Sequence, residues 1–490
     1  MNARRVILVN SNRMRPPVAP LALDYIGGRL SGAGLEVRVV DLSFTDDPAV
    51  WLSEVLGDPE PLAVGITFRN TDDCFWPSGA WFVPRLAQVV DQIRSVTRAP
   101  IILGGCGFTL LPVPIMNHCG VDLAVVGDGE DALLELVRCL GTGTNYRNVP
   151  GVAYRDGEGG IRVNPPRYAP SLDLPTDRSL IDNAAYFRTG GMGNIETKRG
   201  CSARCIYCAD PLVKGRRSRG RPARQVVDEI ASLLHRGIDV LHFCDSEFNI
   251  PPEHAAAVCG EIIARGLGDR LRWYTYASVE PFGEELASAM RRAGCVGINF
   301  GVDSGCDRML AALGRSYRRD AIRRAVETCR RAGITVMLDL LLGGPGEDRD
   351  SVAETIEFVK SVNPDRAGAA LGVRVYPGTR LAEIVAGQGR LRDNPNLRGC
   401  TEQNNDFLRP VFFIDHRLGE DPAGFTADRI GDDERFFMPA RPQPPGCSPI
   451  GDDASNYNYN DNTVLERAIA AGYRGAFWDI LRQVAGRRLA

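Results

Sequence analysis

Lys198-Arg-Gly-Cys201-Ser-Ala-Arg-Cys205-Ile-Tyr207-Cys208-Ala-Asp210-Pro211 carries three cysteines within eight residues, separated by three residues and then by two. A loop this short can aim all three sulfurs at one object. A cube of four irons and four sulfides normally takes four cysteine ligands, so three cysteines leave one iron for a ligand of another kind. Zinc would ask for a second Cys or His pair at knuckle spacing, and none follows.

Around this loop, residues 195–385 alternate short apolar runs with stretches rich in Ala, Arg and Glu. Val240-Leu-His-Phe243, Arg272-Trp-Tyr274, Gly297-Ile-Asn-Phe300-Gly301, Val336-Met-Leu338-Asp-Leu-Leu-Leu342 and residues 370–375 read as strands, with helices between them. About six such βα units fit, against the eight of a closed barrel of about 250 residues. Functional side chains of a barrel belong at the carboxyl ends of its strands.

The spacing Cys-x-x-x-Cys-x-x-Cys, with Tyr207 before the last cysteine, resembles the cluster loop of the radical S-adenosylmethionine (SAM) enzymes. Four later stretches resemble that family in order. Phe243-Cys-Asp245-Ser246-Glu247 is similar to the acidic turn that helps hold SAM, and Gly301-Val-Asp303-Ser304-Gly305 to the turn whose acid and serine contact it. Asp303 is one methylene shorter than the Glu of many relatives, which favours Ser304 as the contact. Gly343-Gly344-Pro345-Gly346-Glu347 resembles the GxPGE turn, and Tyr376-Pro377-Gly378-Thr379 the YPGT turn beside the adenine. The resemblance implies an open six-unit barrel and a [4Fe-4S] cluster on Cys201, Cys205 and Cys208. It also implies SAM on the open iron, cleaved to a 5′-deoxyadenosyl radical, and an electron donor such as flavodoxin or ferredoxin. It singles out no side chain as a proton or hydrogen donor.

Residues 1–145 read as an α/β unit of their own. Arg5-Val-Ile-Leu-Val9 is a buried strand ending at Asn10, residues 21–30 have helical spacing, and residues 35–41, 62–67, 101–105 and 123–127 supply further strands. Strand, glycine-bearing turn and helix in repetition predict a doubly wound, Rossmann-like sheet. Ligands of such sheets lie at the carboxyl ends of the strands, which places Thr67, Gly104, Gly105, Gly127 and Glu130 around one crevice. These loops resemble the cobalamin-binding domain that precedes the barrel in one radical SAM branch. The Asp-x-His-x-x-Gly motif by which other cobalamin proteins ligate cobalt is absent, and His118 has a different context. No G-x-G-x-x-G follows the first strand, against a nicotinamide site.

Residues 146–194 read as a hairpin and a proline-rich linker, and residues 386–490 as a mixed helix and loop cap that supplies substrate contacts, with Tyr457, Tyr459, Tyr473 and Trp478 as candidates. A net charge of -3 argues against nucleic acid, and no apolar run suits a membrane span. Fourteen cysteines without a leader suit reduced thiols in a cytoplasmic protein. The dense run Arg216, Arg217, Arg219, Arg221 and Arg224 reads as a solvated surface, with contact to an anion as the alternative. The resemblance to the cobalamin branch implies a C-methyltransferase of natural-product (antibiotic) biosynthesis acting on a small molecule. Its rivals are a corrin-free dehydratase, lyase or epimerase acting on an aminoglycoside-like substrate, and a non-catalytic iron-sulfur electron carrier.

Overall fold

The structure is a computed structural model and describes residues 5–45, 60–439 and 457–488. The amino-terminal sheet comprises β1 (Arg5–Asn10), β2 (Glu36–Asp41), β3 (Ala63–Thr67), β4 (Ile101–Gly104), β5 (Leu123–Val125), β6 (Val152–Arg155) and β7 (Ile161–Val163) in the order β2-β1-β3-β4-β5-β6-β7. The first five strands are parallel. β1 is buried along its whole length, as its unbroken apolar run requires between two helical layers. The order 2-1-3-4-5 reverses between β1 and β3, which fixes a ligand crevice outside those two strands. The expected hairpin of residues 151–163 forms, but it pairs antiparallel with β5 and so extends this sheet past residue 145.

The second sheet starts with β8 (Gly193–Ile195). A short antiparallel pair, β9 (Lys198–Arg199) and β10 (Arg219–Gly220), brackets the cysteine loop. β11 (Val240–Phe243), β12 (Arg272–Ala277), β13 (Cys295–Asp303), β14 (Thr335–Leu342) and β15 (Arg366–Leu371) continue the curved sheet, every pairing parallel. Its helices bury one stripe against it: Val226, Val227, Ile230, Leu233 and Leu234 of Ala223–His235 recur at helical spacing, each worth about 1.5–3 kcal/mol of apolar burial.

The strand expected over 370–375 is instead β15 followed by β16 (Val373–Arg374), which turns away to pair with a small sheet of β17 (Leu397–Gly399) and β18 (Val411–Phe413). β19 (Phe436–Phe437), from the cap, adds a seventh strand parallel to β15. The mixed helix and loop cap ends in two helices, Thr463–Ala470 and Phe477–Arg488, with Gly472 and Gly475 at left-handed φ of 97° and 144° between them. Residues 440–456 of the expected cap loop, with Cys447, lie outside the described residues.

A buried ion network joins the two sheets. Arg178, wholly buried, donates to Asp24 of helix Leu21–Gly32 (2.6 Å), to Glu229 of helix Ala223–His235 (2.9 Å), and to Asn183 and Asn194. Arg221 closes it on Glu229 (2.6 Å) and on the hydroxyl of Tyr25 (3.0 Å). The basic run is therefore split: Arg221 and Arg219 are buried, Arg219 against Asp128 and the ring of Tyr168, while Arg216, Arg217 and Arg224 are exposed. Charge density alone cannot show this, because the partners lie far away in sequence.

Candidate active site

Cys201, Cys205 and Cys208 lie on an irregular, half-buried loop directly after β8 and β9, each a free thiol. The loop is pinned by backbone bonds, Cys201 N–H to Gly215 (3.1 Å), Ile206 N–H to Leu313 (3.0 Å) and Leu381 N–H to Ile206 (2.8 Å). Burial pushes the Cys205 thiol up to about 11 and Cys208 to about 12, each raised further by the charge of its neighbours in the trio. Among the described residues no group of three or more His, Cys, Asp or Glu side chains is arranged to hold a single metal ion. The three thiols are close enough to raise one another's pKa values.

Two cavities flank the loop. The first, about 310 Å³, opens at the carboxyl ends of β1, β3, β4 and β5 and is walled on its far side by Asn194, Glu196, Arg199, Val213, Lys214 and Cys244. All five expected residues line it: Thr67, Gly104, Gly105, Gly127 and Glu130. Its floor is apolar (Leu8, Ile66, Ile102, Leu103, Leu133) and its rim is built from glycines, which suits a broad flat ring lying on backbone. No histidine is among its lining residues; His118 stands elsewhere, edge-on to Trp81 at 5.4 Å. Glu130 at the rim is paired with Arg199 (2.7 Å); burial, which raises a carboxyl, is outweighed by that guanidinium and its pKa is lowered. A Cβ on Gly104 would meet nothing closer than the Val125 carbonyl at 3.6 Å. Gly104→Leu should therefore fold normally while its side chain enters the cavity, weakening corrin retention about tenfold or more in dialysis.

The second cavity, also about 310 Å³, occupies the barrel mouth and is lined by Tyr207, Ser246, Glu247, Tyr276, Gly301, Asp303, Arg315, Leu340, Leu341, Ala370, Asp339 and Tyr457. Asp303 has a left-handed φ of 66°, at the register shift between Gly301 and Asp303 on β13, which re-aims its carboxylate inward. There it accepts from Tyr207 (2.8 Å to each oxygen) and from Arg315 (2.6 and 2.9 Å). The Tyr preceding the last cysteine is thus what ties the loop to β13. Glu247 is pushed up to about 7 by burial, and one of its oxygens has no hydrogen-bond partner among the described residues. Asp339 is likewise raised to about 6 by burial.

Several of the expected contact residues have partners within the protein. Asp245 is buried and accepts from Lys198 (2.8 Å) and from the Thr197 N–H (2.8 Å) and hydroxyl (2.5 Å), so that it joins β11 to β8; burial raises its carboxyl but Lys198 outweighs this, and the net shift is downward. Ser304 is wholly buried with its hydroxyl 2.8 Å from that of Thr355, whereas Asp303 lines the barrel-mouth cavity. Gly344 and Pro345 line neither cavity; Gly344 packs on Met309 and Leu313 behind the cysteine loop, and its N–H donates to Glu347 (3.1 Å). Tyr376 and Pro377 also line neither: the Tyr376 hydroxyl hydrogen-bonds Cys74 and its ring lies under Arg374. Arg374 in turn pairs with Asp72 (3.0 Å), a loop contact of the amino-terminal sheet that no local pattern in the sequence signals.

Comparison with known proteins agrees with this geometry. Residues 195–359 match the model of the radical SAM superfamily and residues 8–137 that of the B12 binding domain. The chain is 30% identical to the tryptophan 2-C-methyltransferase of Streptomyces laurentii, over 96% of this chain and 95% of that one. It matches the radical SAM methyltransferase TsrM of Kitasatospora setae, solved with tryptophan and a SAM analogue, at 30% identity and a TM-score of 0.91 over 99% of each chain. The same enzyme with cobalamin and a [4Fe-4S] cluster matches at 29% identity and a TM-score of 0.85 over 100% of both. A B12 binding domain and a cobalamin-bound structural relative remove the ground for the corrin-free alternative, and a full-length methyltransferase relative that for a bare electron carrier. Among the described residues no helix is long and apolar enough to cross a membrane. The chain belongs to the cobalamin-dependent radical SAM methyltransferases, enzymes that work with a [4Fe-4S] cluster, SAM and cobalamin.

Proposed function

We propose that the chain transfers a methyl group from SAM, by way of cobalamin, to a carbon atom of a small molecule in natural-product biosynthesis. One observation carries this reading: the apolar, glycine-rimmed cavity and the barrel-mouth cavity lie on either side of one segment, with Val213, Lys214 and Cys244 lining the first and Tyr207 and Ser246 lining the second. Methyl donor, carrier and acceptor would then sit in adjoining cavities on either side of the cysteine loop. When bound, the cluster and SAM supply one-electron chemistry and the methyl group, and cobalamin carries that group.

The residues act by placement. Cys201, Cys205 and Cys208 hold the cluster. Arg315 and Tyr207 fix the Asp303 carboxylate, which with Glu247 frames SAM at the loop side of the barrel mouth. Thr67, Gly104, Gly105 and Gly127 form the bed of the corrin, and the Arg199–Glu130 pair closes its rim against water. A flavodoxin- or ferredoxin-type donor would reduce the cluster.

The test is anaerobic turnover with methyl-deuterated SAM, beginning with tryptophan because the 30% identical relative is named for it. Label in a carbon-bound methyl group of the product, lost when cobalamin is withheld, is the expected result. Product formed at full rate by corrin-free protein would contradict the proposal.

A further inference from the structure

The carboxylates of the barrel mouth are not equivalent. Asp303 is paired with Arg315, and Glu247 feels Arg315 and Lys198 and lies close enough to Cys201 and Cys205 to raise their pKa values. Asp339, on β14, forms no ion pair among the described residues; it feels the charge of Asp303, and Arg315 lines the same cavity without bonding to it. It lines the cavity together with Tyr276 and Tyr457.

Two neutral side chains hold it. The Tyr457 hydroxyl donates to one carboxylate oxygen, and Asn299 of β13 hydrogen-bonds to Asp339 as well. An ionised carboxylate offers about four lone-pair sites, so two donors leave it under-satisfied. Asn299 is itself buried, and its carbonyl oxygen has no partner among the described residues. An unpartnered amide oxygen and a carboxylate without an ion pair among the described residues therefore stand together on adjacent strands, beside a cavity. A buried carboxylate charge is costly unless a partner or ligand neutralises it.

The site is also built around its tyrosine. A Cβ on Gly368 of β15 would lie 2.4 Å from the Tyr457 ring, so that glycine makes the slot in which the ring lies. Phe437 of β19 stacks on the ring at 5.5 Å, and Tyr276 presents a half-open face to the same cavity. The cap thus delivers Tyr457 into the barrel to orient one acid.

We propose that Asp339, oriented by Tyr457 and Asn299, anchors an ammonium group of the substrate, so that the molecule methylated is a small primary amine seated between Tyr276 and Tyr457. An ammonium brings three N–H donors and a positive charge. SAM also carries an ammonium, but the cluster-side acids Asp303 and Glu247 are the ones beside the loop where it would dock. This inference rests on the methyl-transfer reading and names the substrate class of that site.

The experiment uses anaerobic holoenzyme carrying cluster and corrin, with equilibrium dialysis of SAM, of tryptophan, tryptamine and tyramine, and of the amine-free counterparts indole-3-propionate and 3-(4-hydroxyphenyl)propionate. Wild type should hold at least one amine about tenfold more tightly than its counterpart, the range of a charge-assisted hydrogen bond. Asp339→Asn keeps the shape of the side chain and should retain cluster and corrin absorbance while losing that tenfold preference. Gly368→Ala, which evicts the Tyr457 ring, should lose part of it. Wild type that prefers no amine, an Asp339→Asn variant that keeps the preference, or one that loses SAM instead would each overturn the assignment. SAM-dependent methylation of the wild-type corrin is followed in parallel: its absence would defeat the methyl-transfer reading, whereas its presence without amine preference defeats the anchor alone.

Discussion

Cys205→Ala is expected to yield a folded chain with no brown chromophore and no detectable turnover. Cys205 is the middle ligand of the trio, and two cysteines cannot hold a cube that already relies on three. The fold should survive, because the loop is held by backbone bonds from Ile206 and Leu381 that do not involve the thiol. Stability should therefore move by no more than about 0.5–1 kcal/mol. Iron and sulfide content, read beside far-ultraviolet circular dichroism, separates loss of the cluster from loss of the protein. A Cys205→Ala protein that kept full iron content and activity would remove this loop from the chemistry.

Arg178→Met is expected to have the largest effect on stability. The methionine fills a similar volume but withdraws the guanidinium from two buried carboxylates, Asp24 and Glu229, and from the Asn183 and Asn194 oxygens. Burial alone would lower the guanidinium's pKa; Glu229, Tyr25 and Asp24 outweigh it and raise it, so the charge persists at every working pH. Removing one member of a buried ion pair costs about 3–5 kcal/mol, here softened because Glu229 keeps Arg221 and Asp24 keeps the Ile181 N–H. Denaturant unfolding should show a clearly lower midpoint. Corrin retention should fall as well, since Tyr25 and Asn194 belong both to the network and to the wall of the first cavity. An unchanged midpoint would mean that the two sheets are held together by other contacts.

The parts of the molecule that could be read from sequence are those whose chemistry is local. The cysteine spacing puts three thiols on one short loop, and the apolar runs of β1 and β14 announce buried strands without help from elsewhere. The five crevice residues were legible because the carboxyl ends of parallel strands converge whatever their side chains are. Roles that depend on a distant partner were not. Asp245 looks like a ligand-holding acid until Lys198 and Thr197 are seen to occupy it, and Ser304 until Thr355 is. Arg221 looks solvated until Glu229, Tyr25 and Arg178 surround it. Asp339 and Tyr457 lie far apart in the chain and carry no shared motif; only the glycine slot on β15 and the fold of the cap bring them together.

The proposed chemistry needs the three thiols to hold a cube with one iron free for SAM, beside a bed for a corrin. Anaerobic reconstitution with iron, sulfide and cobalamin, followed by metal, sulfide and corrin analysis of the desalted protein, tests it most directly. The account predicts about four irons and four sulfides per chain, with about one corrin. Colourless protein holding zinc at the trio and no corrin would contradict it.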